Sequence, residues 1–282
     1  MSPTAYALLA IALWTTLASL GTALSHLPPF LLTGVALVIG SVPSWPLVAR
    51  DRRAWKVPPR TLALGIYGLF GYHFLLFIAL RHAPPVEANL VNYLWPLLMV
   101  VLAPVLLPGV SLRPLHVVAG LLGFAGAAAA ILGASGGATA AGNTRGYWGF
   151  LPALASAFVW ASYSLGTKRV AAFPTSAIGL FGLVSGVLSL GCHAVLEPSV
   201  ALSARDVVLL ALCGLGPLGA AFFAWDMALK RGDARQIGIL SYITPLGSTA
   251  LLLLVTGRPL TWTIVLAAWL IVSAAVMGTR AR

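Results

Sequence analysis

The sequence contains few charged residues, and acidic residues are the rarest among them. Only 6 of the 282 positions are Asp or Glu, and charged residues make up 8% of the chain, whereas soluble globular proteins contain about 25%. Hydrophobic residues account for 60%. So little charge excludes a soluble globular protein of ordinary composition and predicts a membrane protein.

Cysteine is also scarce, and metal-binding motifs are absent. Cys192 and Cys213 lie in different apolar segments without metal-ligand or redox spacing, so we expect buried core residues and neither a cofactor nor a metal. No His-x-x-Glu-His motif or acidic cluster supports a membrane-embedded enzyme. No Lys or Arg precedes Arg50, so the first apolar segment lacks the positive region of a cleaved signal peptide and is expected in the mature protein.

Long apolar segments are what the sequence has in abundance. A helix needs roughly 17–25 residues to cross a bilayer, and ten segments have about that length. They cover residues 4–25, 29–49, 60–81, 86–107, 114–133, 147–169, 175–195, 205–230, 234–256 and 261–279. We therefore predict an all-α polytopic membrane protein with ten transmembrane helices and no soluble domain.

The distribution of basic residues predicts the orientation in the membrane. Four of the 17 Lys and Arg residues, Arg81, Arg145, Arg205 and Arg258, fall on one side of the predicted bundle, and the other thirteen fall on the side of the N-terminus. Because basic residues are enriched in cytoplasmic loops, we predict that both termini are cytoplasmic. The net charge of +11 then follows from topology, and we expect no nucleic-acid partner.

Several short motifs occur twice. The sequence NYLWPL at 92–97 corresponds to SYITPL at 241–246, and ALRH at 79–82 corresponds to ALKR at 228–231, both at an offset of 149 positions. The sequence SLGT at 19–22 recurs at 164–167. These matches predict two five-helix repeats, 1–133 and 147–282, joined by a Gly/Ala/Thr-rich linker at 134–146. Because five is odd, the second repeat must be inverted, as in many secondary transporters.

This arrangement resembles the EamA-repeat branch of the drug/metabolite transporter superfamily over essentially the whole chain. The resemblance rests on two five-helix halves and a Tyr-x-x-Pro-Leu motif in the fourth helix of each, and the aromatic residues at 92–96 are similar to those of aromatic amino acid exporters. It implies a bacterial inner-membrane carrier that exports small amphipathic metabolites, such as aromatic or other neutral amino acids, by alternating access. The alternative function is export of hydrophobic cations, as by related drug exporters of the same superfamily.

Polar residues form a stripe on each of the two proline-bearing spans. Asn89, Asn92, Tyr93 and Pro96 are spaced i, i+3, i+4 and i+7 on the fourth span. The corresponding residues of the ninth span are Gly238, Ser241, Tyr242, Pro245 and Thr249. Since polar groups avoid lipid, such a stripe faces the bundle interior or a wet cavity. We expect Pro96 and Pro245 to kink mirrored helices beside that cavity. Hydrogen bonding between helices, with the prolines as simple kinks, would produce the same pattern.

Aromatic and polar residues from both halves are the predicted substrate contacts. They are Trp14, Tyr72, His73, Phe77, Asn89, Asn92, Tyr93, Trp95, Trp160, Tyr163, Trp225 and Tyr242. Aromatic rings accept flat groups by stacking and hold cations over their faces. Trp and Tyr are also enriched at the membrane–water interface, so any single one of them fits that location equally well.

Two ionisable residues within the spans have more than one interpretation. Asp226 precedes Lys230 by one helical turn, which favours a salt bridge, while an intramembrane carboxylate is also a candidate site for coupling to a proton or cation. His73 either titrates near neutrality or is a neutral, hydrogen-bonded core residue.

The fifth and tenth spans carry small residues at every fourth position, including Ala119, Gly123 and Ala127, and Ala274 and Gly278. Such faces bring helix backbones close together, so we predict packing elements here and not substrate contacts. A channel would more often use rings of charge or carbonyl groups from several subunits. Because this chain carries its own two-fold repeat, the sequence is compatible with a monomer whose partners are a small molecule and the lipid bilayer.

Overall fold

The regular structure of the protein is helical wherever it is described. A computed structural model describes residues 1–134, 147–256 and 261–280, which form α-helices joined by short 3₁₀ and π-helical turns and contain no β-strand. The predicted all-α class is confirmed. Positions 135–146 of the predicted linker, with Arg145, and also Arg258 and Arg282 lie outside the described residues.

The first half contains α1 (Pro3–Thr15), α2 (Leu17–Ala23), α3 (Pro29–Ser41), α4 (Trp45–Arg50), α5 (Pro59–Ile66), α6 (Tyr72–His82), α7 (Pro85–Asn92), α8 (Trp95–Leu106) and α9 (Pro114–Ala134). The second half contains α10 (Phe150–Gly166), α11 (Ala177–Leu196), α12 (Ala204–Leu215), α13 (Ala221–Arg231), α14 (Ala234–Leu240), α15 (Ile243–Thr256) and α16 (Trp262–Arg280).

Eight helical segments within the described ranges are long and apolar enough to cross a membrane. They are Pro3–Ala23, Pro29–Arg50, Pro59–His82, Pro85–Leu106, Pro114–Gly133, Ala177–Leu196, Ala204–Arg231 and Trp262–Arg280. The sixth predicted span is a shorter apolar helix, Phe150–Gly166, and the ninth is divided between α14 and α15. The protein therefore has multiple membrane-crossing helices, while ten complete crossings stay a prediction.

Irregular backbone occurs at equivalent places in the two halves. A π-helical turn at Tyr67–Gly71 separates α5 from α6, and another at Gly216–Ala220 separates α12 from α13, again 149 positions apart. The break between α7 and α8 has its counterpart between α14 and α15. Irregular backbone at membrane depth is tolerated where it is buried in protein or lines a cavity, so these places indicate the interior of the bundle.

The two prolines of the repeated motif lie in the first turns of new helices. Pro96 is the second residue of α8, and Pro245 is the third residue of α15. The first N–H groups of a helix have no partner within it, so a proline there removes no hydrogen bond. The predicted kinks are therefore breaks, in which each proline opens a new helix and does not bend a continuous one.

Helix packing also repeats between the halves. Helix α3 packs along α11, and α9 packs along α16, so each pair joins equivalent helices. The contact of α1 with α13 corresponds to that of α10 with α6. Small residues allow the close pairs, since a Cβ atom added at Gly126 would lie 2.7 Å from Ile271 Cγ1 on α16. The two halves are thus arranged with approximate two-fold symmetry, and α9 and α16 serve as packing elements, as their small residues predict.

Candidate functional site

A cavity of about 590 Å³ lies between the two halves of the bundle. Its walls come from α1, α2, α3 and α6–α8 of the first half and from α10, α12, α13 and α15 of the second. Pockets for small organic ligands have volumes of roughly 300–1,000 Å³. This cavity is large enough for a small metabolite and is the candidate functional site.

Most of the predicted substrate contacts line this cavity. They are Trp14, Tyr72, His73, Phe77, Asn89, Asn92, Tyr93, Trp95 and Trp160. All of these residues except Trp160 belong to the first half, so the first half contributes most of the predicted contacts that line the cavity. The polar stripe of α7 faces the cavity, as its spacing predicts.

Three predicted contacts lie elsewhere. Tyr163 and Trp225 are buried behind the cavity wall, where the Tyr163 ring lies 5.4 Å from the Trp160 ring and the Trp225 ring lies 5.1 Å from the Trp14 ring. Tyr242 is fully buried among α9, α15 and α16. Its ring fills the space above Gly123, where an added Cβ atom would lie only 2.3 Å from Tyr242 Cδ2. The structure therefore does not bring these three side chains to the cavity.

The second proline-bearing span contributes different residues from those predicted. Thr244 and Ser248, one turn apart on α15, line the cavity in place of Tyr242. The predicted stripe assumes one continuous helix, but the span is broken between α14 and α15, and Thr244 occupies the position equivalent to Trp95, which also lines the cavity. Pro245 is the sequence signal that could have indicated this break. Thr244 Oγ1 is buried without a hydrogen-bond partner among the described residues, so a bound molecule could supply one.

Four tryptophans pack together at the inner end of the cavity, where Trp14, Trp95 and Trp160 line it and Trp225 lies behind them. The rings of Trp14 and Trp160 lie 5.9 Å apart, those of Trp95 and Trp160 lie 6.3 Å apart, and those of Trp95 and Trp225 lie 5.6 Å apart. The indole N–H groups of Trp14 and Trp225 donate to the Pro217 carbonyl and to Ser164 Oγ, each at 3.1 Å. Packed and hydrogen-bonded rings of this kind present fixed apolar faces for a flat group. We call these four residues the tryptophan cluster.

The cavity extends from the tryptophan cluster toward one face of the bundle. Its outer lining includes Leu80 near the end of α6 and Ser25, an exposed residue that follows α2. On the other side of the cluster, toward the N-terminus, Lys230 pairs with Asp226 and the Arg231 guanidinium lies 5.1 Å from the centre of the Tyr6 ring. The cavity is therefore open toward the face opposite to the N-terminus and closed toward the N-terminal face.

Polar groups line one wall close to the tryptophan cluster. Asn92 Nδ2 donates to the Tyr72 hydroxyl at 3.1 Å, and Ser156 Oγ donates to Asn92 Oδ1 at 3.0 Å. His73 Nδ1 lies 2.6 Å from the Leu69 carbonyl oxygen. None of the described residues that line the cavity is Asp, Glu, Lys or Arg. The wall can offer hydrogen bonds but no fixed charge.

Asp226 takes part in a compact ion pair outside the cavity. Its Oδ2 atom lies 2.6 Å from Lys230 Nζ and accepts a hydrogen bond of the same length from the Thr175 hydroxyl. Lys230 also donates to the Phe173 carbonyl at 2.9 Å. This geometry agrees with the salt-bridge interpretation, while a role in coupling stays a prediction. Within the described ranges, no group of three or more His, Cys, Asp or Glu residues is placed to hold a metal ion.

Comparisons with known proteins agree with this architecture. The chain matches the profile of the EamA-like transporter family twice, over residues 1–132 and 147–279. It is 41% identical over 278 residues to the aromatic amino acid exporter YddG of Ancylobacter novellus, and the matched region covers 96% of this chain and 94% of that protein. Exporters of the same name from Salmonella typhimurium and Escherichia coli are 29% and 28% identical, each over 90% of this chain and 89% of their own. A solved crystal structure of a protein 37% identical in sequence superposes with a TM-score of 0.89, over 99% of this chain and 97% of that one.

Proposed function

Because the chain belongs to the EamA-like transporter family and is a membrane transporter rather than an enzyme, we propose that it carries aromatic and other neutral amino acids out of the cell. The observation that carries this proposal is the composition of the cavity, in which aromatic rings and neutral hydrogen-bonding groups occur without a charged side chain. The similar proteins named as aromatic amino acid exporters support it.

The lining matches the chemistry of a zwitterion with an aromatic side chain. An unpaired fixed charge in a poorly solvated cavity would be costly and would favour ligands of opposite charge. Neutral donors and acceptors instead satisfy an ammonium and a carboxylate together, and the tryptophan cluster offers surface for a ring. A small neutral amino acid would use the polar wall and leave part of the aromatic surface empty, so we expect broad selectivity with preference for aromatic side chains.

The proposed mechanism is alternating access across the bacterial inner membrane. The cavity opens to one face only, and the approximate two-fold symmetry of the halves supplies an equivalent opening toward the other face. The bias of basic residues supports cytoplasmic termini, which makes the closed N-terminal face cytoplasmic. In a variant without Cys192 and Cys213, a membrane-impermeant thiol reagent applied to intact cells should label a cysteine at position 145 and leave one at position 52 unlabelled. Labelling at 52 and protection at 145 would reverse the orientation.

Transport by the purified protein tests the proposed substrates. In proteoliposomes, tryptophan should show saturable counterflow, and Trp95→Ala should lower it about threefold to tenfold, because stacking on one ring contributes about 0.5–1.5 kcal/mol beyond burial. Threonine counterflow should fall less, since threonine has no ring. Trp269, which is 65% exposed on α16, provides the matched control Trp269→Ala. Equal losses for both substrates in Trp95→Ala would show that Trp95 supports packing only.

A hydrophobic-cation exporter is the second candidate, because the tryptophan faces that accept a neutral ring also attract a cation. The same proteoliposomes distinguish the two candidates. Counterflow of tetraphenylphosphonium in the absence of tryptophan counterflow would replace the first candidate by the second. The lack of a carboxylate among the described lining residues favours the amino acid.

A further inference from the structure

The Tyr72 hydroxyl is held so that its own hydrogen is available to a ligand. Among the described residues it makes one hydrogen bond, in which it accepts from Asn92 Nδ2. The orientation of the Asn92 amide is fixed by the fully buried Ser156, whose hydroxyl hydrogen is shared between Asn92 Oδ1 at 3.0 Å and the Ala153 carbonyl at 2.7 Å. With its lone pair engaged in this way, the half-buried Tyr72 side chain offers the cavity a donor.

The neighbouring His73 offers the complementary group. Its Nδ1 atom lies 2.6 Å from the Leu69 carbonyl oxygen, and a carbonyl oxygen only accepts, so Nδ1 carries the hydrogen. In the neutral ring Nε2 is then the acceptor, and among the described residues it has no hydrogen bond of its own. The Tyr72 and His73 rings lie 5.0 Å apart, and both side chains line the cavity.

We propose that Tyr72 and His73 form the subsite for the two polar groups of an α-amino acid, an inference that rests on the proposed function. The Tyr72 hydroxyl donates to the carboxylate, and His73 Nε2 accepts from the ammonium. Asn92 and Ser156 are positioning residues, which act by directing the Tyr72 hydroxyl. Because the Tyr72 ring also lies 5.3 Å from the Trp160 ring, an amino acid held in this way places its side chain beside the tryptophan cluster.

Three ligands that share an indole ring separate the two contacts. Tryptophan has both polar groups, tryptamine lacks the carboxylate, and indole-3-propionate lacks the ammonium. Equilibrium dialysis of each radiolabelled ligand against the purified protein gives its dissociation constant. Tyr72→Phe should weaken tryptophan and indole-3-propionate about tenfold and tryptamine less than about twofold, because a hydrogen bond to a charged group is lost only where the carboxylate is present. Tyr67→Phe, a few residues earlier and outside the cavity lining, is the matched control.

The proposed contact of His73 is tested with a substitution that keeps the hydrogen bond to the Leu69 carbonyl. In His73→Asn the amide nitrogen can take the place of Nδ1 and still donate to the Leu69 carbonyl, while the acceptor at Nε2 is removed. Tryptophan and tryptamine should bind about tenfold more weakly, and indole-3-propionate should be little changed. His82→Asn, on the same helix but outside the lining, is its control.

The positioning role of Ser156 gives a third arm. Ser156→Ala should reproduce the ligand pattern of Tyr72→Phe at about threefold, since it acts only through Asn92. Ser162→Ala on the same helix should leave all three affinities unchanged. A purely structural role for Ser156 would weaken the three ligands equally and would contradict the positioning role.

Several results would overturn the subsite. Wild-type protein that binds tryptamine and indole-3-propionate as tightly as tryptophan would show that neither polar group is recognised. Equal losses for all three ligands in Tyr72→Phe would assign Tyr72 to packing, and losses confined to the two amines would assign it to the ammonium. Wild-type protein that binds none of the three would contradict the proposed function itself, before any variant is compared.

Discussion

Tyr93 and Tyr242 occupy equivalent positions in the two halves but lie in different environments. Each follows a short helix and precedes a proline by three positions. Tyr93 is half-buried and lines the cavity, whereas Tyr242 is fully buried beside Gly123. The equivalent tyrosine of the motif therefore lines the cavity in one half and makes a packing contact in the other.

The difference follows from the opening of the cavity to one face. Tyr93 lies eight residues after Pro85, the start of α7, and that end of α7 borders the open face. Tyr242 lies equally far from Ala234, the start of α14, which belongs to the closed N-terminal face. In an inverted repeat, equivalent residues lie on opposite sides of the midplane, so a cavity that opens to one face includes Tyr93 and leaves out Tyr242. Tyr93 thus lies on the open side of the bundle, and Tyr242 lies on the closed side.

Truncation of the two tyrosines should separate stability from transport. Tyr242→Ala empties a fully packed site, and large-to-small aromatic substitutions in a core lower stability by about 3–5 kcal/mol. We expect a much lower melting temperature of the purified protein in detergent. Tyr93→Ala removes a side chain that already borders a cavity, so it should melt close to wild type while losing tryptophan transport. Similar melting temperatures for the two variants would contradict the different environments.

Gly123 provides the internal control for this comparison. A Cβ atom added at Gly123 would lie 2.3 Å from the Tyr242 ring, so Gly123→Ala alone should be destabilising, whereas Gly191→Ala meets no atom within 4 Å. In the Tyr242→Ala background the added methyl group has room, and Gly123→Ala should then cause little further loss. Additive losses in the double variant would show that the two residues do not share this contact.

Much of the fold could be predicted because it depends on local chemistry. Apolar length predicts the helices, and the repeats at 92–97 and 241–246 predict the equivalence of the halves, which the two π-helical turns and the two breaks support. Small residues on α9 predict its packing against α16. Each of these inferences needs only the sequence of one segment and the properties of a bilayer.

The candidate site could be predicted in part, because side-chain direction depends on helical phase and on conformation. Asn89 and Asn92 lie on α7 and Tyr93 directly follows it, so their helical spacing made the cavity-facing position predictable. Thr244 and Ser248 were missed because the predicted stripe continues through the break before α15 as if the helix were uninterrupted. No pattern within one segment indicates which of two equivalent residues is on the closed side.

The two equivalent helix ends give a second comparison between the halves. Arg81 near the end of α6 corresponds to Lys230 near the end of α13. Arg81 pairs at 2.9 Å with Glu197, which follows α11, whereas Lys230 pairs with Asp226 on its own helix. The Glu197 side chain is fully buried and also accepts from the backbone N–H groups at the start of α3 at 3.1 and 3.2 Å. Glu197 therefore joins three helices, whereas Asp226 and Lys230 link α13 to the segment that precedes α11.

Neutralising Glu197 should have the larger effect at these helix ends. Glu197→Gln removes the charge that accepts from two backbone N–H groups and pairs with the exposed Arg81, and hydrogen bonds to a charged group contribute about 1.5–3 kcal/mol. The melting temperature in detergent should fall clearly. Glu87→Gln is the matched control, because Glu87 makes no side-chain hydrogen bond among the described residues. If both variants melted alike, the network around Glu197 would contribute nothing measurable.

Asp226→Asn should have the smallest effect, although Asp226 is almost as well buried. Its Oδ1 atom has no hydrogen-bond partner among the described residues, so burying this carboxylate already carries a penalty that the amide reduces. Lys230 would keep the Phe173 carbonyl and the Phe173 ring, whose centre lies 3.9 Å from its Nζ atom. We expect a smaller change in stability than for Glu197→Gln, because Lys230 keeps these two contacts and Asp226 Oδ1 is already without a partner among the described residues. In proteoliposomes, tryptophan counterflow and accumulation driven by a proton gradient should both stay within about twofold of wild type, because a structural ion pair has no part in coupling. Loss of gradient-driven accumulation with counterflow retained would instead assign Asp226 to coupling, and it would make the two cationic helix ends functionally different as well as structurally different.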